Sequence, residues 1–193
     1  MAVTDFAFTR NCSGTGICAP LDASGIDVSL VGGQLRFAGG FTALSVGGVA
    51  TADFLIAYNI LSVPTIDRVG LLFNGSVIGD NSFAQVVETV ITPIAHIAGQ
   101  GSVAAPGGPL AQLIVLDDDY HALKIVKDIL LVGADTSGLG VASISLIDQF
   151  YVAPGQPSPF CVEGVDCDVV PEPSTYAMLG LGLVGFYFAK RRS

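Results

Sequence analysis

The sequence predicts an all-β sandwich of short antiparallel strands, about eight to ten of them, followed by a linker and one short C-terminal transmembrane helix. Three observations carry the sandwich. Between residues 26 and 141 short apolar runs are separated by turn-forming clusters: Gly32-Gly33, Gly39-Gly40, Gly47-Gly48, Asn74-Gly75, Gly79-Asp80-Asn81 and Pro106-Gly107-Gly108-Pro109. Several of these runs alternate apolar with polar residues, which gives a strand one face for a core and one for solvent. With 51% hydrophobic residues and 13% charged ones, the chain has ample apolar surface to bury, which excludes a disordered polyampholyte.

The body spans residues 1–153. Residues 3–9 read as a strand and lead into a polar loop closed by Cys12 and Cys18. Residues 52–63 are the longest apolar stretch of the body and read as a central strand buried on both faces; Asp53 interrupts it and Pro64 ends it, so it is not a membrane span. Asn74-Gly75 is the strongest hairpin signal, because a type I′ turn needs positive φ at both central positions; it joins 69–73 to 76–78. In 83–91, Phe83, Val86, Val87, Val90 and Ile91 fit helical spacing and also alternate. Their β-branched content favours a strand.

Residues 99–109 read as a loop. Residues 110–116 and 123–132 then form two strands around a solvated turn, Asp117 to His121. The clearest alternation is 141–152: Ala142, Ile144, Leu146 and Phe150 point one way, and Ser143, Ser145, Gln149 and Tyr151 the other. Residues 154–169 form a Pro- and Cys-containing linker.

Residues 170–193 have three parts in fixed order. Pro171, Glu172 and Pro173 form a stiff, extended tripeptide. Residues 176–189 carry no charge, and Lys190, Arg191 and Arg192 make a basic stop. At about 1.5 Å per residue the apolar run reaches roughly 21 Å, short of a hydrocarbon core of about 30 Å. The basic cluster places its own end in the cytoplasm and everything before it outside.

A Pro-Glu-Pro tripeptide, a Gly- and Leu-rich apolar stretch and a terminal Arg cluster together resemble the PEP-CTERM sorting signal of Gram-negative bacteria. The resemblance covers about the last eighth of the chain: Pro171 to Pro173, residues 178–188, and Lys190 to Arg192. It implies processing by an exosortase, a membrane enzyme thought to be a cysteine protease-transpeptidase. It further implies a transient stay in the inner membrane facing the periplasm, then the cell surface or medium, with a role in an exopolysaccharide matrix or biofilm. An exported chain should begin with a basic and then an apolar segment. Residues 1–15, with Asp5 among them, do not form one, so a trimmed start or a later-called start codon is expected.

The four cysteines form two matching C-x5-C pairs, Cys12 with Cys18 and Cys161 with Cys167. In a chain sent across a membrane an even count reads as disulfides, each pair closing on itself. Zinc is the rival, but the tight C-x2-C spacing is missing and His96 and His121 are distant; a c-type haem would need C-x-x-C-H.

Residues 1–172 carry five basic and seventeen acidic side chains, which excludes nucleic acid as a partner. Asp117-Asp118-Asp119-Tyr120-His121 is the densest polar cluster. It lacks the alternate spacing, Gly and distal Glu of a calcium loop, so it reads as a solvated turn. His96 reads as a partly buried loop histidine, and Asn11 and Asn74 as loop and turn residues. No G-x-S-x-G, H-E-x-x-H or P-loop occurs.

The expected function is that of a non-enzymatic exported protein with no catalytic residue, metal or cofactor. Two other readings stand beside it. A secreted carbohydrate- or calcium-binding module would need an aromatic platform from Tyr58, Tyr120 or Tyr151. A secreted hydrolase would need Asp117 to Asp119 and His121 to face a cleft.

Overall fold

In a computed structural model of the chain, the described residues are 1–20 and 22–157. The chain divides into two compact units, Met1–Pro159 and Phe160–Ser193, and all described residues belong to the first. The expected linker end and the whole sorting tail therefore lie outside the described residues.

The body is all-β and antiparallel, with one three-residue 3-10 turn at Ala23–Gly25. Its strands are β1 (Ala2–Gly14), β2 (Ile17–Ala19), β3 (Asp27–Val31), β4 (Gln34–Ile78), β5 (Phe83–Ile91), β6 (Ile97–Ala105) and β7 (Ala111–Val152). They run in the order β1-β4-β7-β5-β6, with β2 and β3 added along β4. The expectation of eight to ten short strands is corrected to seven among the described residues, two of which are very long.

Those two strands make the sandwich by folding back on themselves. Residues 35–61 pair with 149–122 throughout, yet Phe41 packs on Phe54 and Phe37 on Tyr58 within β4, each pair of rings 5.4 Å apart. The fold-back falls at Gly47-Gly48, where Gly47 has φ 63° and Ser45 Oγ donates to the Gly48 and Gly133 carbonyls at 2.9 and 2.8 Å. β7 bends beside it at 135–138, where one Asp135 oxygen accepts from the Ser137 and Gly138 amides at 2.9 and 2.8 Å. Gly140 is needed there, because a Cβ would meet the Ala134 backbone at 2.5 Å.

The result is two layers. One holds β1, 48–61, 122–135, β5 and β6; the other holds β2, β3, 34–46, 139–152, 66–78 and 111–115. Their inner faces meet in a core of Phe37, Phe41, Phe54, Ile56, Ile125 and Ile129, all fully buried. Each such side chain contributes about 2 kcal/mol relative to exposure.

Several local expectations change. Asn74-Gly75 is no hairpin turn; β4 runs through it, and Asn74 and Gly75 pair with Leu146 and Ile144. The irregularity lies on the partner strand, where Ser145 is an extra, bulged residue. That bulge shifts the alternation of β7 by one: Ala142 and Ile144 face inward, and then Ile147 and Gln149 do, while Leu146 turns away.

Residues 99–105 belong to strand β6 rather than to a loop. The glycines read there as loop residues serve close packing, since a Cβ on Gly99 or Gly101 would lie 2.7 Å from the Ile114 side chain. Residues 52–63 are buried on one face only, with Leu55 and Leu61 exposed on the other. Residues 117–121 lie within β7, at the corner where it crosses between layers.

Candidate functional site

The sorting residues Pro171, Glu172 and Pro173, the stop Lys190, Arg191 and Arg192, and the pair Cys161 and Cys167 lie outside the described residues. Cys12 and Cys18 form a disulfide as expected, with Cα atoms 6.3 Å apart. Cys12 sits in β1 opposite Ala52 and Cys18 in β2 opposite Ala43, so the bond links the layers beside the Gly47-Gly48 fold-back.

Inside the sandwich three polar side chains meet. The Lys127 ammonium donates to Glu88 and to Gln149, and the Gln149 amide donates to Glu88 at 2.9 Å and to the Gly70 carbonyl at 3.1 Å. Lys127 also stands 5.8 Å from the centre of the Phe37 ring. All three side chains are fully buried, and burial lowers the Lys127 pKa against the opposing pull of Glu88. Lys127 occupies the inward row Leu123, Ile125, Ile129 and Leu131, and Glu88 the inward row Ala84, Val86 and Val90. With its buried polar atoms satisfied, this network links the two layers through the core.

The cluster at 117–121 is also occupied. His96 Nε2 contacts one Asp117 oxygen at 2.5 Å, and the Tyr120 hydroxyl donates to the other at 2.7 Å. These two contacts, His96 first, lower the Asp117 pKa, and the same carboxylate pushes Tyr120 up to about 12. His96 is exposed, not partly buried as expected. Asp118 turns to the Asp119 amide at 2.8 Å, so the three carboxylates do not converge. His121 Nδ1 meets the Ser62 carbonyl at 2.9 Å, away from Asp117. Among the described residues no group of three or more His, Cys, Asp or Glu is arranged to hold a metal ion.

Of the three tyrosines that an aromatic platform would draw on, Tyr58 is unavailable. Tyr58 is buried with its hydroxyl 2.9 Å from that of Tyr151, in the core. Tyr120 spends its hydroxyl on Asp117.

What the body does offer is a cleft of about 620 Å³ on the outer face of the β1 layer. Its floor is one row across four strands: Thr4 opposite Asn59, Asn59 opposite Lys124, and Lys124 opposite Ile91. One wall is Asp5, where β1 bulges between Thr4 and Ala7. The other is the β5–β6 turn, closed by hydrogen bonds from the Ala95 amide to Thr92 (3.0 Å) and from the Thr92 amide to His96 (2.8 Å). Asp5 (φ 55°) and Ala95 (φ 62°) are the non-glycine residues with positive φ among those described, and both line this cleft. Such backbone costs about 1–2 kcal/mol per residue and gathers where a surface is shaped for contact. Sequence reading missed this site, because its residues come from four separated segments with no shared motif.

Comparison with known proteins bears on the tail. Residues 169–192 match the PEP-CTERM protein-sorting motif, the class expected from Pro171 to Pro173, the apolar stretch and the basic stop. The chain therefore carries a PEP-CTERM sorting signal at its C-terminal end. No curated protein matches the chain.

Among solved structures, the enzymatically active domain of bacteriophage CBA120 tailspike protein 4 aligns at 9% identity and TM-score 0.34, over 77% of this chain and 20% of that one. This chain thus spans only a fifth of that protein's length. TmCBM61 in complex with beta-1,4-galactotriose aligns at 14% identity and TM-score 0.36, over 74% of this chain and 88% of that one. A family 11 carbohydrate-binding module from Clostridium thermocellum aligns at 7% identity and TM-score 0.28, over 76% and 89%. Scores of this size assign neither ligand nor activity to this chain.

Proposed function

We propose that this chain is a non-enzymatic exported protein that exosortase processes at Pro171-Glu172-Pro173 and releases into an exopolysaccharide matrix. The observation that carries the reading is the sorting motif at residues 169–192. Its apolar run, at roughly 21 Å against a core of about 30 Å, makes a marginal anchor, suited to holding a chain until it is cut. Lys190, Arg191 and Arg192 would keep the stop in the cytoplasm and the body in the periplasm. In the body, the clustered polar groups are engaged with one another: Lys127 with Glu88 and Gln149, and Asp117 with His96 and Tyr120.

Intact-mass spectrometry of the protein from an exosortase-bearing host tests this. The expected mature species ends near residue 173, is absent from the membrane fraction and lacks the basic cluster. Glu172→Ala should trap the full-length form in the inner membrane. Neutral residues in place of Lys190, Arg191 and Arg192 should weaken retention and orientation. A secreted species that still contains residues 176–193 overturns the proposal.

A further inference from the structure

We propose that the cleft between Asp5 and the Thr92–Ala95 turn binds a neutral, hydroxyl-rich saccharide, as a single unit or a chain end. The inference deepens the matrix reading above and rests on it for the choice of ligand available to the protein. Its geometry comes from the body alone.

The cleft's volume, about 620 Å³, lies within the range of about 300–1,000 Å³ usual for small-molecule sites. Its polar groups are set in place with capacity to spare. Asn59 Nδ2 and Thr4 Oγ1 both donate to Asp5 Oδ2, at 2.7 and 3.1 Å. The contacts fix the carboxylate over the floor and leave Asp5 Oδ1 and Asn59 Oδ1 without a hydrogen-bond partner among the described residues. Two acceptors on neighbouring residues of the cleft suit the hydroxyl donors of a sugar.

Lys124 supplies the complement. In an acidic body, Arg36 pairs with Asp148, Arg68 with Asp67 and Lys127 with Glu88, while Lys124 has no ion pair among the described residues. Lys124 lines the cleft, and its ammonium is a donor for a hydroxyl or ring oxygen. Leu61, Ile91 and Pro93 add apolar surface for the C–H face of a sugar ring.

The charge balance selects against an acidic sugar. A uronate seated by Lys124 would share the cleft with the Asp5 carboxylate on a protein of net charge −9. A neutral ligand uses both groups without that repulsion. No aromatic ring lines the cleft, so binding depends on Asp5, Asn59 and Lys124.

Isothermal titration calorimetry of the full-length chain, in a detergent without a sugar headgroup, tests this. The probes are glucose, galactose, mannose and their β-1,4-linked trisaccharides, with trigalacturonate as the acidic counterpart. At least one neutral probe should bind. Asp5→Ala should weaken it about tenfold or more, and Lys124→Met about fivefold, in line with loss of charge-assisted hydrogen bonds. Asp5→Asn, which tolerates the same backbone, should also weaken binding if Asp5→Ala fails to fold. Val115→Ser, outside the cleft, should bind as the parent does.

Failure of every neutral probe, tighter binding of trigalacturonate, or parental affinity in both Asp5→Asn and Lys124→Met overturns the proposal. The outcome separates from sorting. A chain that binds sugar and is not cut near residue 173 keeps the cleft and loses the sorting reading; a chain cut normally that binds nothing does the reverse.

Discussion

The Tyr58 hydroxyl lies 2.9 Å from the Tyr151 hydroxyl, one phenol from each layer, so two strand segments 93 residues apart in sequence are joined by a hydrogen bond through the core. Burial, first, holds both phenols well above 10; for Tyr58 the neighbouring Tyr151 and Glu88 add to it, and for Tyr151 Glu88 does. A folded-state pKa raised above the unfolded value means stability that is complete below about pH 10 and lost as pH rises further. Urea unfolding across that range should show the loss, and a Tyr58→Phe, Tyr151→Phe double variant should show much less of it. Equal alkaline loss in both proteins would count against the pairing.

The Lys127–Glu88–Gln149 network should be costly to break from one side. Lys127→Met leaves a buried carboxylate facing only Gln149 and should destabilise by about 3–5 kcal/mol. Adding Glu88→Gln removes the uncompensated charge and should restore most of that stability. Chemical denaturation of the two single variants and the double variant gives the coupling; additive losses would show that the charges do not depend on each other.

Reduction of Cys12–Cys18 should cost about 2 kcal/mol, the loop-closure value for so short a ring. Non-reducing peptide mapping should recover Cys12 joined to Cys18, and the same experiment checks the expected Cys161–Cys167 bond. A peptide joining either N-terminal cysteine to either C-terminal one would contradict the local pairing.

Asp117 should titrate below 3.8, because His96 and Tyr120 both bind its ionised form. The stabilisation is present above the unfolded value and is lost as pH falls through the lowered folded one. Carbon-detected NMR of the carboxyl should follow this, and His96→Ala should move the midpoint up towards 3.8. An unchanged midpoint would remove His96 as the main cause.

The sequence made the sandwich legible where local chemistry and the fold agree. The Gly32-Gly33 turn, both residues at positive φ, closes β3 onto β4 as read, and the β-branched residues of 83–91 do form a strand. It misled where glycine serves packing rather than a turn. A Cβ on Gly75 would lie 2.1 Å from the Phe73 ring of the same strand, and one on Gly99 or Gly101 would crowd Ile114; composition alone does not tell these from turn glycines. Nor does alternation alone reveal the Ser145 bulge, which exchanges Leu146 for Ile147 on the inward face. The sorting signal was readable because it is contiguous, whereas the cleft depends on a bulge at Asp5 and a turn at Ala95 brought together by tertiary pairing.

The long β4–β7 ladder also sets when the body can fold. Leu35 finds its ladder partner at Gln149, and Ala43 at Ala142, about a hundred residues on, whereas Leu61 meets Ala122 and Leu72 meets Ala111 across shorter loops, so the 34–46 part of the ladder carries the largest closure cost. A chain emerging N-terminus first could close β3 onto 34–38 and β1 onto 50–61 early, but 34–46 would wait for 139–152. The same dependence makes the segment around 141–152 the last strand segment of the body to arrive and the one that joins 34–46 to 66–78 in their layer.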